Sequence, residues 1–273
     1  VMNDGTVTVT SSVNGTIYAN SNSWVRYPFS TARAVVLSQA KGISAGKGSN
    51  EVTNNGDMTI QALGHAAPKV YSWSRDYQAT ANTYGQSTAE ATGMEADGIL
   101  LNSADGILDV TARATSWANA PTNSEFATAT ALVNATASGF ATSTDADLTG
   151  LQRITNDGIA TVRALAGEDA AGNSQQIAWV NTNITTRDST ANCKGTSTVD
   201  AAGVRVGDGV KEITNNGALT VLGRARADLT TAGGAHTYAR SYYYNPEANS
   251  YAKGSATATG ILAAAGDNQV YNF

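Results

Sequence analysis

One block of residues recurs five times along the chain, and this internal repetition limits the possible folds more than any other feature. It reads VMNDGTVTV at 1–9, VTNNGDMTI at 52–60, NSADGILDV at 102–110, ITNDGIATV at 154–162 and ITNNGALTV at 213–221. The anchor glycines Gly5, Gly56, Gly106, Gly158 and Gly217 are 51, 50, 52 and 59 residues apart, so about five units of one repeat fill the 273 residues. Two further elements keep step. Upstream of the next anchor comes a glycine followed by an apolar residue: Gly42-Ile43, Gly93-Met94, Gly139-Phe140, Gly203-Val204 and Gly260-Ile261. Downstream comes an aromatic residue with Arg or Asn two places on: Trp24 with Arg26, Trp73 with Arg75, Trp117 with Asn119, Trp179 with Asn181 and Tyr238 with Arg240.

Within each unit the hydrophobic period is two, the period of a β-strand. Ile213, Asn215, Gly217, Leu219, Val221 and Gly223 share one parity, while Thr214, Asn216, Thr220 and Arg224 share the other. Stacking of equivalent strands would lay like residues over like, which predicts an all-β chain folded as a β-solenoid of about five repeats of roughly 50 residues. Asn3, Asn54, Asn156 and Asn215 then fall on the inward parity, where a lone amide is costly but a column of amides can hydrogen-bond along the stack. The Asp-Gly and Asn-Gly pairs at the anchors are expected to supply a positive-φ residue at one corner of each coil. The alternative is a β-sandwich with strand-exchange assembly, in which the same pairs are hairpin turns. No linker divides the chain, so residues 1–273 are read as a single repeat domain.

Composition bears on function chiefly by exclusion. Charged residues are 14% of the chain, against roughly 25% in ordinary globular proteins, and the net charge is -5. No basic field is available to hold phosphate backbones, so nucleic acid is not an expected partner. No apolar run reaches the roughly 18 residues of a membrane span. Cys193 is the single cysteine, so no intrachain disulfide forms. With Val rather than Met at position 1, the chain reads as a mature or excised product.

The pattern Ile-x-Asn-x-Gly-x-Leu-x-Val-x-Ala, preceded by a Gly-apolar pair and a short Gly/Asp turn, resembles the Ala/Thr/Asn-rich repeats of bacterial surface and adhesin-like β-solenoid proteins. The stretch GVRVGDGVKEITNNG at 203–217 also resembles degenerate calcium-binding repeats of RTX proteins. The first resemblance implies an extracellular or cell-surface location. The second implies Ca²⁺ at turn aspartates, with Asp208 and Asp267 as candidates; most chelating aspartates of that family have no counterpart here. Read from the residues alone these are solvated turn aspartates, and no cofactor is expected.

No catalytic constellation stands out. His65, placed at the Ala225 position of the repeat, and His236 have no metal-like or catalytic neighbours in sequence, and Glu168-Asp169 is among the closest acidic groupings. The chain is therefore read as a structural protein, not an enzyme. Stacked strands would align Trp24, Trp73, Trp117, Trp179 and Tyr238 in one column, either packed in the core or exposed as a stripe. Tyr242, Tyr243 and Tyr244 in the Tyr-rich stretch 240–251 extend the exposed reading, which would bind glycans or a cell surface. Threonine pairs such as Thr128/Thr130 and Thr257/Thr259 do not recur at one repeat position, which disfavours an ice-binding face.

The C-terminal Val270, Tyr271, Asn272 and Phe273 repeat the strand start of Val1 and Asn3, which leads through Gly5 to Val7 and Val9. The expected partners are identical subunits, joined head to tail where these two strand starts meet.

Overall fold

The computed structural model describes residues 1–23, 28–46, 48–74, 79–123, 125–142, 151–168, 176–184, 189–209, 211–226, 234–241, 245–264 and 268–273. Its described residues form nineteen strands and no helix, so no helix is long and apolar enough to cross a membrane. In chain order the strands are β1 (Met2–Asn3), β2 (Thr6–Ser23), β3 (Phe29–Ser44), β4 (Asn50–Asn54), β5 (Asp57–Ser74), β6 (Thr80–Glu95) and β7 (Gly98–Asn102). Next come β8 (Ile107–Ser116), β9 (Ala118–Asn123), β10 (Phe126–Ala141), β11 (Gln152–Asn156), β12 (Ile159–Ala166) and β13 (Gln176–Ile184). The last are β14 (Ser189–Val206), β15 (Lys211–Asn215), β16 (Ala218–Ala225), β17 (Gly234–Ser241), β18 (Pro246–Ala263) and β19 (Asn268–Asn272).

These strands make three sheets. A short sheet has the order β1-β4-β7-β11-β15-β19, and an unbroken long sheet has the order β18-β14-β10-β6-β3. A second long sheet runs β16-β12-β8-β5-β9-β13-β17, with β2 also on β5; in it three layers consist of two shorter strands each. The chain passes from the short sheet to the interrupted long sheet, then to the unbroken one, and returns to the short sheet one strand further along. Every pairing among the described strands is parallel. The hairpins of the β-sandwich alternative are antiparallel by construction and do not occur among the described strands.

The period-two pattern explains which face turns inward. Along β6 and β10 the buried and partly exposed residues alternate, with Ala89, Ala91, Ala127, Ala129, Ala131 and Ala135 inside. Most of the unbroken sheet's inward face is thus small, with Met94 and Phe140 as large residues beside the glycines, and the interrupted sheet meets it with Met58, Ile60, Leu108, Val110 and Val162. The two faces interlock at the Gly-apolar positions. A Cβ on Gly139 would lie 2.6 Å from the Gly203 carbonyl oxygen and 2.9 Å from Val162 Cγ2. One on Gly93 would lie 2.6 Å from the Gly139 carbonyl oxygen and 2.8 Å from Leu108 Cδ1. A large side chain of one sheet therefore packs directly on the backbone of the other, which explains the glycine at this place in the first four units, while Gly260 in the last layer has no such neighbour.

The anchor glycines act differently from the sequence expectation. None of Gly5, Gly56, Gly106, Gly158 and Gly217 has a positive φ; among the described residues the positive-φ glycines are Gly48, Gly98, Gly167 and Gly209. At the corner it is the approach of one layer to the next that excludes a side chain. The carbonyl of Gly5 accepts from the Asp57 N–H, that of Gly56 from Ile107, that of Gly106 from Ile159 and that of Gly158 from Ala218, all at 3.0 Å. A Cβ on Gly56 would run into the Gly5 carbonyl, and one on Gly217 into that of Gly158.

Candidate functional site: an amide ladder between two open faces

The short sheet holds the most ordered set of polar groups in the molecule. Asn3 Nδ2 donates to Asn54 Oδ1 at 2.7 Å, Asn54 to Asn102 at 2.8 Å, Asn102 to Asn156 at 2.8 Å, Asn156 to Asn215 at 2.7 Å and Asn215 to Asn272 at 2.8 Å. All of them except Asn272 are buried. Their spare donor capacity goes to the corner backbone: Asn102 Nδ2 also reaches the Gly106 carbonyl at 3.1 Å, and Asn215 Nδ2 the Gly217 carbonyl at 3.1 Å. Stacking of equivalent strands brings each amide over the next at the inter-strand spacing of about 4.8 Å, close enough for direct N–H···O bonds along the column.

The sequence pattern placed Asn3, Asn54, Asn156 and Asn215 on this column but not Asn102. Aligning the block on Gly106 put Asn102 opposite Val52, whereas the backbone register pairs it with Asn54 and pairs Leu100 with Val52. Two extra residues in the turn after Asn102 cause the shift; Gly106 N donates to the Ser103 carbonyl at 2.8 Å to close that turn. Counting back from the strand instead of the glycine would have found this asparagine.

At the two ends of the stack lie the residues expected at a subunit junction. Val1 is exposed, Asn3 is buried, Gly5 is exposed, and Val7 and Val9 are half-buried on an inward face that no strand covers from below. Val270, Tyr271, Asn272 and Phe273 are exposed, and β19 pairs in register with β15, Val270 opposite Ile213 and Asn272 opposite Asn215. The Tyr271 and Phe273 rings stack with centroids 6.4 Å apart. Val270 thus stands at the far end of the column formed by Val52, Leu100, Ile154 and Ile213.

The aromatic series does not form a column. Trp73 pairs with Asn22 and Asn123, Trp179 with Asn119 and His236, and Tyr238 with Asn181, while Trp117 follows Ser116, which pairs with Ala66. Interruptions of this sheet change the distance from anchor to aromatic, so equal sequence order does not give equal register. Trp117 and Trp179 are exposed or half-buried between buried neighbours, and Trp73 is half-buried after buried Ser72, so they face outward from the interrupted sheet, not into the core. Trp24, Tyr242, Tyr243 and Tyr244 lie outside the described residues, as does the side chain of Tyr238.

Among the described residues no three His, Cys, Asp or Glu side chains come together to hold a metal ion. Asp208 is exposed and Asp267 lies outside the described residues. Gly64, not His65, occupies the place of Ala225, in register with Ala114. His65 instead faces outward with Nδ1 2.8 Å from Thr115 Oγ1, and partial burial lowers its pKa below the ordinary value. Glu168 is buried and ion-paired to Arg226 at 3.2 Å and Arg224 at 3.4 Å, a structural role for the carboxylate that the sequence grouped with Asp169. Lys211 is buried in the short sheet with Nζ donating to the Gly209 carbonyl at 3.1 Å, and desolvation lowers its pKa against the raising effect of Asp208.

No family model, no curated protein and no solved structure matches this chain.

Proposed function

We propose that the chain is a β-solenoid of about five wide three-strand coils and serves as an extracellular structural subunit, assembling head to tail into a filament, sheath or stalk. The observation that carries this reading is the amide ladder, because it has a direction. Every rung donates towards the later layer, so the stack ends in a free Nδ2 at Asn272 and a free side of Oδ1 at Asn3. Two copies can continue the ladder only if they point the same way; a head-to-head contact would oppose acceptors and a tail-to-tail contact would oppose donors.

Strand numbers suggest how the junction forms. The short sheet has six strands where the unbroken long sheet has five, and its sixth, β19, pairs in register on β15. Because β1 and β19 carry the same Val-x-Asn pattern, β19 of one copy takes the place of β1 in the next, and Asn272 donates to Asn54 of that copy. The long strands β2, β3 and β18, each paired on one side, then add the backbone hydrogen bonds that template the layer. No catalysis, metal or nucleic acid enters this reading.

Negative-stain microscopy of the purified protein tests it, with fibres expected and a persistent monomer at high concentration overturning it. Deleting 270–273 should abolish fibres and leave a folded monomer. Deleting 1–3 should leave assembly intact, since it vacates the place that β19 fills. Asn272→Asp keeps the acceptor for Asn215 but turns a second oxygen towards Asn54 Oδ1, so it should block fibres without changing the melting temperature.

A further inference from the structure

The outward face of the unbroken long sheet carries a trough that the sequence repeats do not announce. Register along this sheet stacks Thr31, Asn82, Thr128, Asn192 and Asn249 in one column, so hydroxyls and amides alone form a floor across all five strands. Two residues further along each strand the column is Arg33, Tyr84, Thr130, Lys194 and Tyr251. In it Arg33 Cζ lies 5.2 Å from the Tyr84 ring centre, and Lys194 Nζ lies 5.8 Å from that of Tyr251. Two residues back, the opposite wall is Phe29, Thr80, Phe126, Thr190 and Glu247, with both phenylalanines exposed.

A cavity of about 240 Å³ lies over its last three strands, β10, β14 and β18, bounded by Thr128, Asn192, Lys194, Asn249 and Tyr251 among others. There the short Thr128 lies beside the longer Asn192 and Asn249 of the next two layers. Asn249 Nδ2 donates to Asn192 Oδ1 at 3.2 Å and to Glu247 Oε1 at 2.9 Å, so both of its amide hydrogens are used within the face, and Glu247 stands as the one wall anion at its far end.

We propose that this trough binds an acidic polysaccharide running along the stack axis. Each element matches one part of such a ligand. Alternate residues on a strand are about 6.7 Å apart, so the two walls stand about 13 Å apart, wide enough for one chain of pyranose rings between them. Layers about 4.8 Å apart give five layers a length of about 20 Å, room for roughly four sugars. Asparagine and threonine on the floor exchange hydrogen bonds with ring hydroxyls, while Phe and Tyr on the walls cover the apolar C–H faces. Arg33 and Lys194 supply the cations for uronate carboxylates, on a chain whose net charge of -5 would otherwise repel a polyanion.

Affinity electrophoresis in gels containing polygalacturonate tests the proposal, with fully methyl-esterified polygalacturonate as the uncharged control. The wild-type protein should be retarded by the acid form and much less by the ester. The Arg33→Gln/Lys194→Gln double variant should bind about tenfold more weakly, and Asn192→Leu, which removes floor hydrogen bonds, should weaken binding as well. All these side chains face solvent, so melting temperatures should match the wild type and show that each variant is folded. Absence of retardation, equal retardation by the ester, or an unchanged double variant would overturn the assignment. None of these outcomes depends on fibre formation.

Discussion

The two long sheets begin from the same repeat yet differ in what they can display. In the unbroken sheet, β6, β10 and β14 pair residue for residue over almost their whole length, so each outward position becomes a continuous column. In the interrupted sheet, the strand of the third layer divides into β8 and β9, and that of the fourth into β12 and β13. Its aromatic residues consequently scatter across different positions although they come in the same sequence order. The comparison teaches that a stacked parallel fold turns sequence periodicity into continuous surface columns only where no residue is inserted between layers, because one extra residue moves every later side chain to the other face.

The largest test of this contrast is at the glycine column of the unbroken sheet. Gly139→Val would drive its side chain into the Gly203 carbonyl and Val162, and should destabilise by about 4 kcal/mol or more or prevent folding altogether. Inserting two residues between β12 and β13, where layers already differ in length, should by contrast cost little; equal losses in the two variants, measured by urea unfolding, would erase the distinction between the sheets. Next in size is Asn102→Leu in the short sheet. It strands the Asn54 donor and the Asn156 acceptor, both buried, and should cost about 3 kcal/mol in the same assay.

On the interrupted sheet Glu168→Gln should cost about 1–2 kcal/mol, because its two arginine partners remain partly solvated and are screened. A loss as large as that of Asn102→Leu would mean that this region is as tightly specified as the ladder. The smallest effect concerns His65. Its folded pKa lies below its unfolded value near 6.5, so the folded state prefers the neutral ring. That contribution is fully present above pH 6.5 and is lost as pH falls from there through the folded value. A thermal melt series from pH 7 to 5.5 should show a slight decline that disappears in His65→Gln; an unchanged slope would place the titrating group elsewhere.

Much of the fold is legible from residue spacing. The inward parity of Ile154, Asn156, Ala160 and Val162 follows from period two, and the repeat of Asn-x-Gly anticipates a column of amides. Asn102 escaped because an anchor glycine and a strand need not keep a fixed distance when a turn lengthens. The corner glycines were assigned the wrong cause, since a steric limit set by the neighbouring layer leaves no mark in local dihedral preference. The trough was not legible at all: Thr31, Asn82, Thr128, Asn192 and Asn249 share no local motif and become one floor only through pairing.

The sequence by itself determined strand, parity and repetition, because these depend on side-chain alternation along one segment. Only the tertiary structure decided the register between layers, and with it which asparagines touch, which aromatics fail to align and where an outward trough forms. Register is a property of two strands and the connection between them, and a connection of altered length shifts it without changing the pattern of either strand.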